Sequence, residues 1–264
     1  MKNIISLVVL ATLASCNPQA PTTATGASTP TVGASSTPST LSAFNMNFIS
    51  GNTTDFNAYA SSWTRTNNNV TEAETQVLNL TGAANSDVTY QYRGQFTDTF
   101  NVEVDIGFKG ENKIGNQFDI TMDFGNGNKM IGTVISSAAN YVSPIDASNT
   151  LTRQAYVKVY SNNILVDSSA VDTSIVDPSS WDPTQGYVAD AHLYRSTSQN
   201  QRLELYINIT GIGSITHNVS ESQAATWGLT GNATYSIKFS AGNTNSMVFT
   251  VDAIIQQQAS GFIQ

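Results

Sequence analysis

Apolar and polar residues alternate with a period of two along most of the chain. Val102, Val104, Ile106 and Phe108 fall on one side of an extended run, with Glu103 and Asp105 on the other. Phe118, Ile120, Met122 and Phe124 repeat the pattern, as do Leu203, Leu205, Ile207 and Ile209, then Met247, Phe249, Val251 and Ala253. Val88–Arg93 alternates in the same way. Successive side chains of a strand point to opposite faces, so each run predicts a strand with one apolar face. Helical spacing is confined to Ser220–Trp227. Turn pairs separate the runs at Asn126-Gly127, Asp177-Pro178, Asp182-Pro183 and Gly242-Asn243. Strands that each bury one face need a second layer, which predicts an all-β fold: two antiparallel sheets packed face to face as a β-sandwich.

The first residues break this pattern. Lys2 precedes an apolar run from Ile4 to Leu13, the length of a signal-peptide core and too short to span a bilayer. The run ends in Leu13-Ala14-Ser15-Cys16, which resembles the lipobox of bacterial lipoproteins. The resemblance implies removal of residues 1–15 and acylation of Cys16, and more than one acyl chain anchors a protein stably. Cys16 is the single cysteine, so the chain has no internal disulfide and no cysteine-based metal site. Asn17, where an Asp would signal retention at the inner membrane, points to the outer membrane or cell surface of a Gram-negative cell. In a Gram-positive cell the anchor would sit in the outer leaflet of the plasma membrane.

Residues 16–41 form the predicted tether. Of the 25 residues after Cys16, 21 are Thr, Ser, Ala, Gly or Pro, and none is charged. Such a segment offers too little apolar surface to offset chain entropy and is expected to be disordered. Residues 42–264 have the composition of one domain. Charged residues make up only 11% of the chain and the formal net charge is −8, which loss of Lys2 makes more negative. With no basic patch, nucleic acid is not an expected partner.

A second resemblance lies in the layout. Phe44-Asn45-Met46-Asn47-Phe48, Trp63 and Val77-Leu78-Asn79-Leu80 open the domain, and Tyr235–Phe239 and Phe249–Ile254 close it. The layout resembles the concanavalin A-like (laminin G-like) jelly roll, which implies that the first and last strands lie side by side. His192–Arg195 and Leu203–Asn208 resemble its central hairpin.

That resemblance gives NVEVDIGF at 101–108 a chemical reading. Family 16 glycoside hydrolases share this jelly roll and carry Glu-x-Asp-x-Glu on one strand. By this likeness Glu103 would be the nucleophile and Asp105 its tuning neighbour. The acid position falls on Gly107, or on Phe108 in the longer form, and neither donates a proton. The alternative is an ordinary strand with Glu103 and Asp105 facing water. A strand at Asn116–Phe124 is expected to pair with 101–108, placing Gln117, Asp119, Thr121 and Asp123 on the same polar face. Repulsion among these carboxylates would be relieved by solvent screening or, alternatively, by calcium at Asp119 and Asp123.

Asp190, His192 and Tyr194 share one face of a strand. A hairpin with 201–210 would bring Glu204 and Tyr206 beside them, a set able to grip a sugar by hydrogen bonds and ring stacking. Trp181 lies in a Pro-rich loop and either stacks on a sugar or plugs the sandwich. His192 and His217 lack metal-ligand spacing, and no Gly-x-Ser-x-Gly elbow occurs. Asp123–Asn128 hints at a calcium loop but lacks the ligand order, so Asn126-Gly127 reads as a type I′ turn. The sequence therefore predicts a lipid-anchored surface protein with a lectin-like sandwich that binds polysaccharide or another envelope partner without catalysis. A glycoside hydrolase or lyase with a non-standard acid, and a structural envelope protein, are the alternatives.

Overall fold

The computed structural model describes residues 44–47, 63–74, 77–96, 102–110, 113, 115–135, 155–170, 187–196, 201–210 and 213–257. Cys16, the tether at 16–41, Trp181 and the turns at Asp177 and Asp182 lie outside them. All described residues belong to one compact unit, Pro38–Gln264.

Thirteen strands are described: β1 (Phe44–Asn47), β2 (Trp63–Glu74), β3 (Leu78–Tyr92), β4 (Val102–Gly110), β5 (Gln117–Asp123), β6 (Lys129–Ile135), β7 (Ala155–Ser161), β8 (Ile164–Ala170), β9 (Tyr187–Arg195), β10 (Gln201–Ile209), β11 (Gly213–Ser220), β12 (Thr234–Ser240) and β13 (Met247–Gln257). One helix, α1 (Glu221–Trp227), follows β11 where helical spacing predicted it. A capping box closes its N-terminus: Gln223 N donates to Ser220 Oγ, and Ser220 N donates to Gln223 Oε1.

Every strand pair is antiparallel, and the ladder folds over into two layers. The first runs β1-β13-β4-β9-β10-β11 and the second β2-β3-β12-β5-β6-β7-β8. They are joined where Met247–Val251 of β13 pairs with Leu78–Gly82 of β3. The first and last strands lie side by side, as the jelly-roll layout implied.

The alternating apolar faces meet between the layers. Phe108 of the first sheet packs its ring on Phe118 (4.2 Å), with Phe239 at 5.8 Å and Phe249 at 6.2 Å. Burial of each such side chain is worth roughly 1.5–3 kcal/mol. Gly132 of β6 lets the layers approach: a Cβ there would come within 2.4 Å of Leu205 Cδ2 and 3.0 Å of Ile207 Cδ1 on β10. Asn126-Gly127 forms the predicted type I′ turn. Both residues have positive φ (54° and 78°), and Asn128 N donates to Gly125 O at 2.9 Å.

Two expectations fail. The strand at Gln117–Asp123 does not pair with Val102–Gly110: β5 lies between β12 and β6, and β4 between β13 and β9. Pairing follows fold topology here rather than nearness in sequence. Ala253 does not face the core. A bulge at Asp252 shifts the register between Val251 and Ala253, so Ile254 turns inward and Ala253 and Ile255 turn outward.

Candidate ligand-binding site

Three rows of residues cross the outer face of the first sheet, fixed by strand register. Asn208, Asp190, Gly107 and Ala253 lie side by side on β10, β9, β4 and β13. Thr216, Tyr206, His192, Asp105 and Ile255 form the next row. Asn218, Glu204, Tyr194 and Glu103 form the third. Period-2 alternation turns these residues outward because their neighbours, Leu193, Leu205 and Val104 among them, are committed to the core.

The first two rows, with Glu204 of the third, line a groove of about 750 Å³. Asp105, Asp190, His192, Glu204 and Tyr206 supply its polar and aromatic wall, and Ala253 and Ile255 give it an apolar side. Gly107 keeps it open: a Cβ there would touch Asp190 Oδ1 at 3.7 Å and Asp252 Cβ at 4.0 Å. The bulge on β13 brings Asp252 to the rim.

His192 is the hub. Its Nδ1 donates to Asp105 Oδ1 at 2.5 Å and lies 3.7 Å from Glu103 Oε1. Burial works against its charged form, but the hydrogen bond to Asp105 and the charges of Asp105, Glu103 and Glu204 outweigh this and raise its pKa. Burial raises the carboxyls of Asp190, Glu204 and Asp252 above the ordinary range. Asp105 adds to the shift of Asp190, and Asp190 adds to that of Asp252. The groove thus combines one imidazole donor, several carboxyl groups and a tyrosine ring against an apolar side, a mixture suited to a ligand with polar edges and a flat apolar face.

The structure brings Asp190, His192, Glu204 and Tyr206 together as the hairpin predicted, and adds Asp105 to them. Tyr194 shares their face but is buried, its ring stacked 6.2 Å from that of His192, so it supports the histidine rather than lining the groove. Glu103 is only 6% exposed, which corrects the expectation that it faces water. It sits beneath His192, not at the groove wall. Asp119 and Asp123 belong to the other sheet. Four residues apart on one strand, they are roughly 13 Å apart and share no cation. Their carboxylates are also engaged, Asp119 with Gln117 and Thr133 and Asp123 with the Gly125 amide.

Among the described residues, one set of side chains has the spacing to hold a metal: Glu103, Asp105 and His192, whose ligand atoms lie within 4.8 Å of one another. An imidazole with two carboxylates suits a transition ion better than calcium. Sequence reading missed Asp252 and Thr216. The bulge that delivers Asp252 leaves no mark in the alternation, and Thr216 is one of many threonines.

No family model and no curated protein matches the chain in sequence. Solved structures do match it in fold. Lectin I-B4 from Griffonia simplicifolia, in a metal-free form, is 12% identical over 81% of this chain and 99% of its own, with a TM-score of 0.53. Lectin UEA-II, complexed with galactose, is 11% identical over 81% and 97%, with a TM-score of 0.52. The winged bean acidic lectin, complexed with methyl-α-D-galactose, is 9% identical over 82% and 98%, with a TM-score of 0.53. The chain has the concanavalin A-like fold, as its layout implied.

Proposed function

We propose that this protein is a lipid-anchored envelope lectin-like module that binds glycan in the groove of the first sheet and does no chemistry on it. The observation that carries the reading is the register that gathers Asp105, Asp190, His192, Glu204 and Tyr206 around one open groove. The lectins that share the fold support it, two of them in complexes with galactose or its methyl glycoside. An acidic wall favours neutral or amino sugars over acidic ones. Cys16 would carry the lipid and residues 16–41 would hold the domain off the bilayer in the cell envelope, at the outer membrane or cell surface if the cell is Gram-negative.

Thermal unfolding of the full chain in detergent, against a panel of neutral and amino polysaccharides, tests the site. Binding to the folded state must raise Tm. Tyr206→Ala is expected to abolish the shift, and a panel that leaves Tm unmoved would remove the reading. Cys16→Ser should release the protein from the membrane fraction, with loss of the lipid-modified N-terminal peptide by mass spectrometry.

One observation favours the runner-up, cleavage of the glycan. Asp190 and Asp252 flank Gly107, and both carboxyls are pushed up by burial, as a proton donor requires. Reducing-sugar release that vanishes in Asp190→Asn would establish it.

A further inference from the structure

The second sheet has a polar outer face of its own. Register again sets its rows. Thr89, Lys238, Asp119, Thr133 and Tyr156 stand side by side on β3, β12, β5, β6 and β7. Gln91, Ser236, Thr121, Ile131 and Lys158 form the next row. Between the rows lies a hollow of about 230 Å³, lined by Lys158, Lys238 and Tyr160, by Thr121 and Ser236, and by the single carboxylate of Asp119. This is smaller than the pockets of about 300–1,000 Å³ that hold drug-sized ligands and is on the scale of one sugar unit.

The charges here differ in kind from those of the groove. The carboxylate of Asp119 is spent inside the protein: Gln117 Nε2 donates to Oδ2 at 2.7 Å and Thr133 Oγ1 donates to Oδ1 at 2.6 Å. Lys238 pairs with Asp87 at 3.6 Å. Lys158 makes no ion pair within 4 Å among the described residues, but Asp119 lines the same hollow and the two charges act on each other, while burial lowers the pKa of Lys158. Its ammonium is held over the Tyr156 ring, 4.6 Å from the centroid, at the hollow's wall. A positioned, half-buried ammonium beside these hydroxyls offers one charge-assisted donor to an anion and several neutral hydrogen bonds to its neighbours.

We propose that this hollow is a second saccharide site, taking one carboxylate-bearing sugar unit of the uronic-acid class with its carboxylate on Lys158. Lys158 supplies charge. Thr121 and Ser236 read ring hydroxyls, and Tyr160 closes the side. The acidic groove on the opposite face repels the same ligand, so the two faces sort sugars by charge.

The test is titration of the full chain in detergent with glucuronate, glucose and acetate, followed by saturation-transfer NMR. Glucuronate should bind at least about tenfold more tightly than glucose or acetate, and should weaken steeply on raising salt. Lys158→Met should remove the preference for glucuronate, Lys158→Arg should retain most of it, and Tyr206→Ala should leave it intact. Thr121→Val should weaken glucuronate without touching acetate, and thermal melts of all variants check folding. The proposal is overturned by equal binding of glucose, by acetate matching glucuronate, by loss in Tyr206→Ala with retention in Lys158→Met, or by no signal. Failure of the groove reading leaves these outcomes unaffected, because the groove is read through Tyr206 and neutral glycans.

Discussion

The molecule has two polar sheet faces built from the same alternation, and they came out chemically opposite. The outer face of the first sheet gathers Asp105, Asp190, Glu204 and Asp252 around one histidine. The outer face of the second gathers Lys158 and Lys238 around a single aspartate that is already hydrogen-bonded. On the first face burial and mutual repulsion push carboxyls up, and the acidic neighbours of His192 raise its pKa in turn. On the second face the Gln117 amide and the Thr133 hydroxyl hold the carboxylate of Asp119, and two lysines stand beside it. Strand pairing made this difference. Had β5 lain beside β4, as nearness in sequence suggested, Asp119 and Asp123 would have joined Glu103 and Asp105 on one overcrowded face.

The common core underlies both faces, so the largest change should break them together. Phe108→Ala is expected to cost about 3–5 kcal/mol by leaving a cavity among Phe118, Phe239 and Phe249. Urea unfolding should show the loss, and binding at both faces should fall in parallel.

A turn change should separate them. Gly127→Val places a branched side chain at φ 78° and against Asn163, whose backbone amide donates to Gly127 O at 3.0 Å. It should cost about 1–2 kcal/mol or more, loosening the β5–β6 and β7–β8 hairpins of the second sheet. Glucuronate binding should then suffer more than groove binding. Equal losses would mean that the faces are not independent.

The histidine test is smaller. The folded pKa of His192 is raised, so its contribution to stability is fully present below its ordinary value of about 6.5 and is lost as pH rises through the folded value. His217 is opposite in sign. Burial lowers its pKa against the pull of Asp167, so stability is present above about 6.5 and lost as pH falls through the folded value. In Asp105→Asn the His192 part should shrink. NMR titration should show a lower His192 pKa, and Tm should climb more steeply from pH 5 to 7 than in the wild type. An unchanged His192 titration would show that Asp105 is not its main partner.

The smallest effect concerns Asp252. Its raised pKa means that the folded state holds its proton more tightly, so the stability it lends exists below the ordinary carboxyl range and is lost as pH rises. Asp252→Asn should therefore be slightly stabilising at pH 7, by about 0.5 kcal/mol or less, with Tm as the readout. A destabilised variant would mean that Asp252 makes a favourable contact the bulge was built to place.

Most of the fold is legible in the sequence, and the reason is local. The strands at Val102, Phe118, Leu203 and Met247 follow from period-2 alternation, the helix at Ser220–Trp227 from its helical spacing, and the turn at Asn126-Gly127 from residues that tolerate positive φ. Half of the groove was legible because the hairpin joining Asp190 and His192 to Glu204 and Tyr206 spans few residues. What stayed hidden is non-local or irregular. Asp105 meets His192 across 87 residues of chain, the Asp252 bulge interrupts a strand without a Gly or Pro to mark it, and the buried Arg195 alternates inward like an apolar residue. Its guanidinium donates to the carbonyls of Phe96 and Gly231. The sequence by itself determined which face of each regular strand turns inward, because that is written in the spacing of the strand alone; Glu103, Arg195 and Ala253 are where packing and a bulge overrode it. Only the tertiary structure decided which outer residues share a face, because that depends on which strands pair, and pairing is settled by the closure of the whole sandwich.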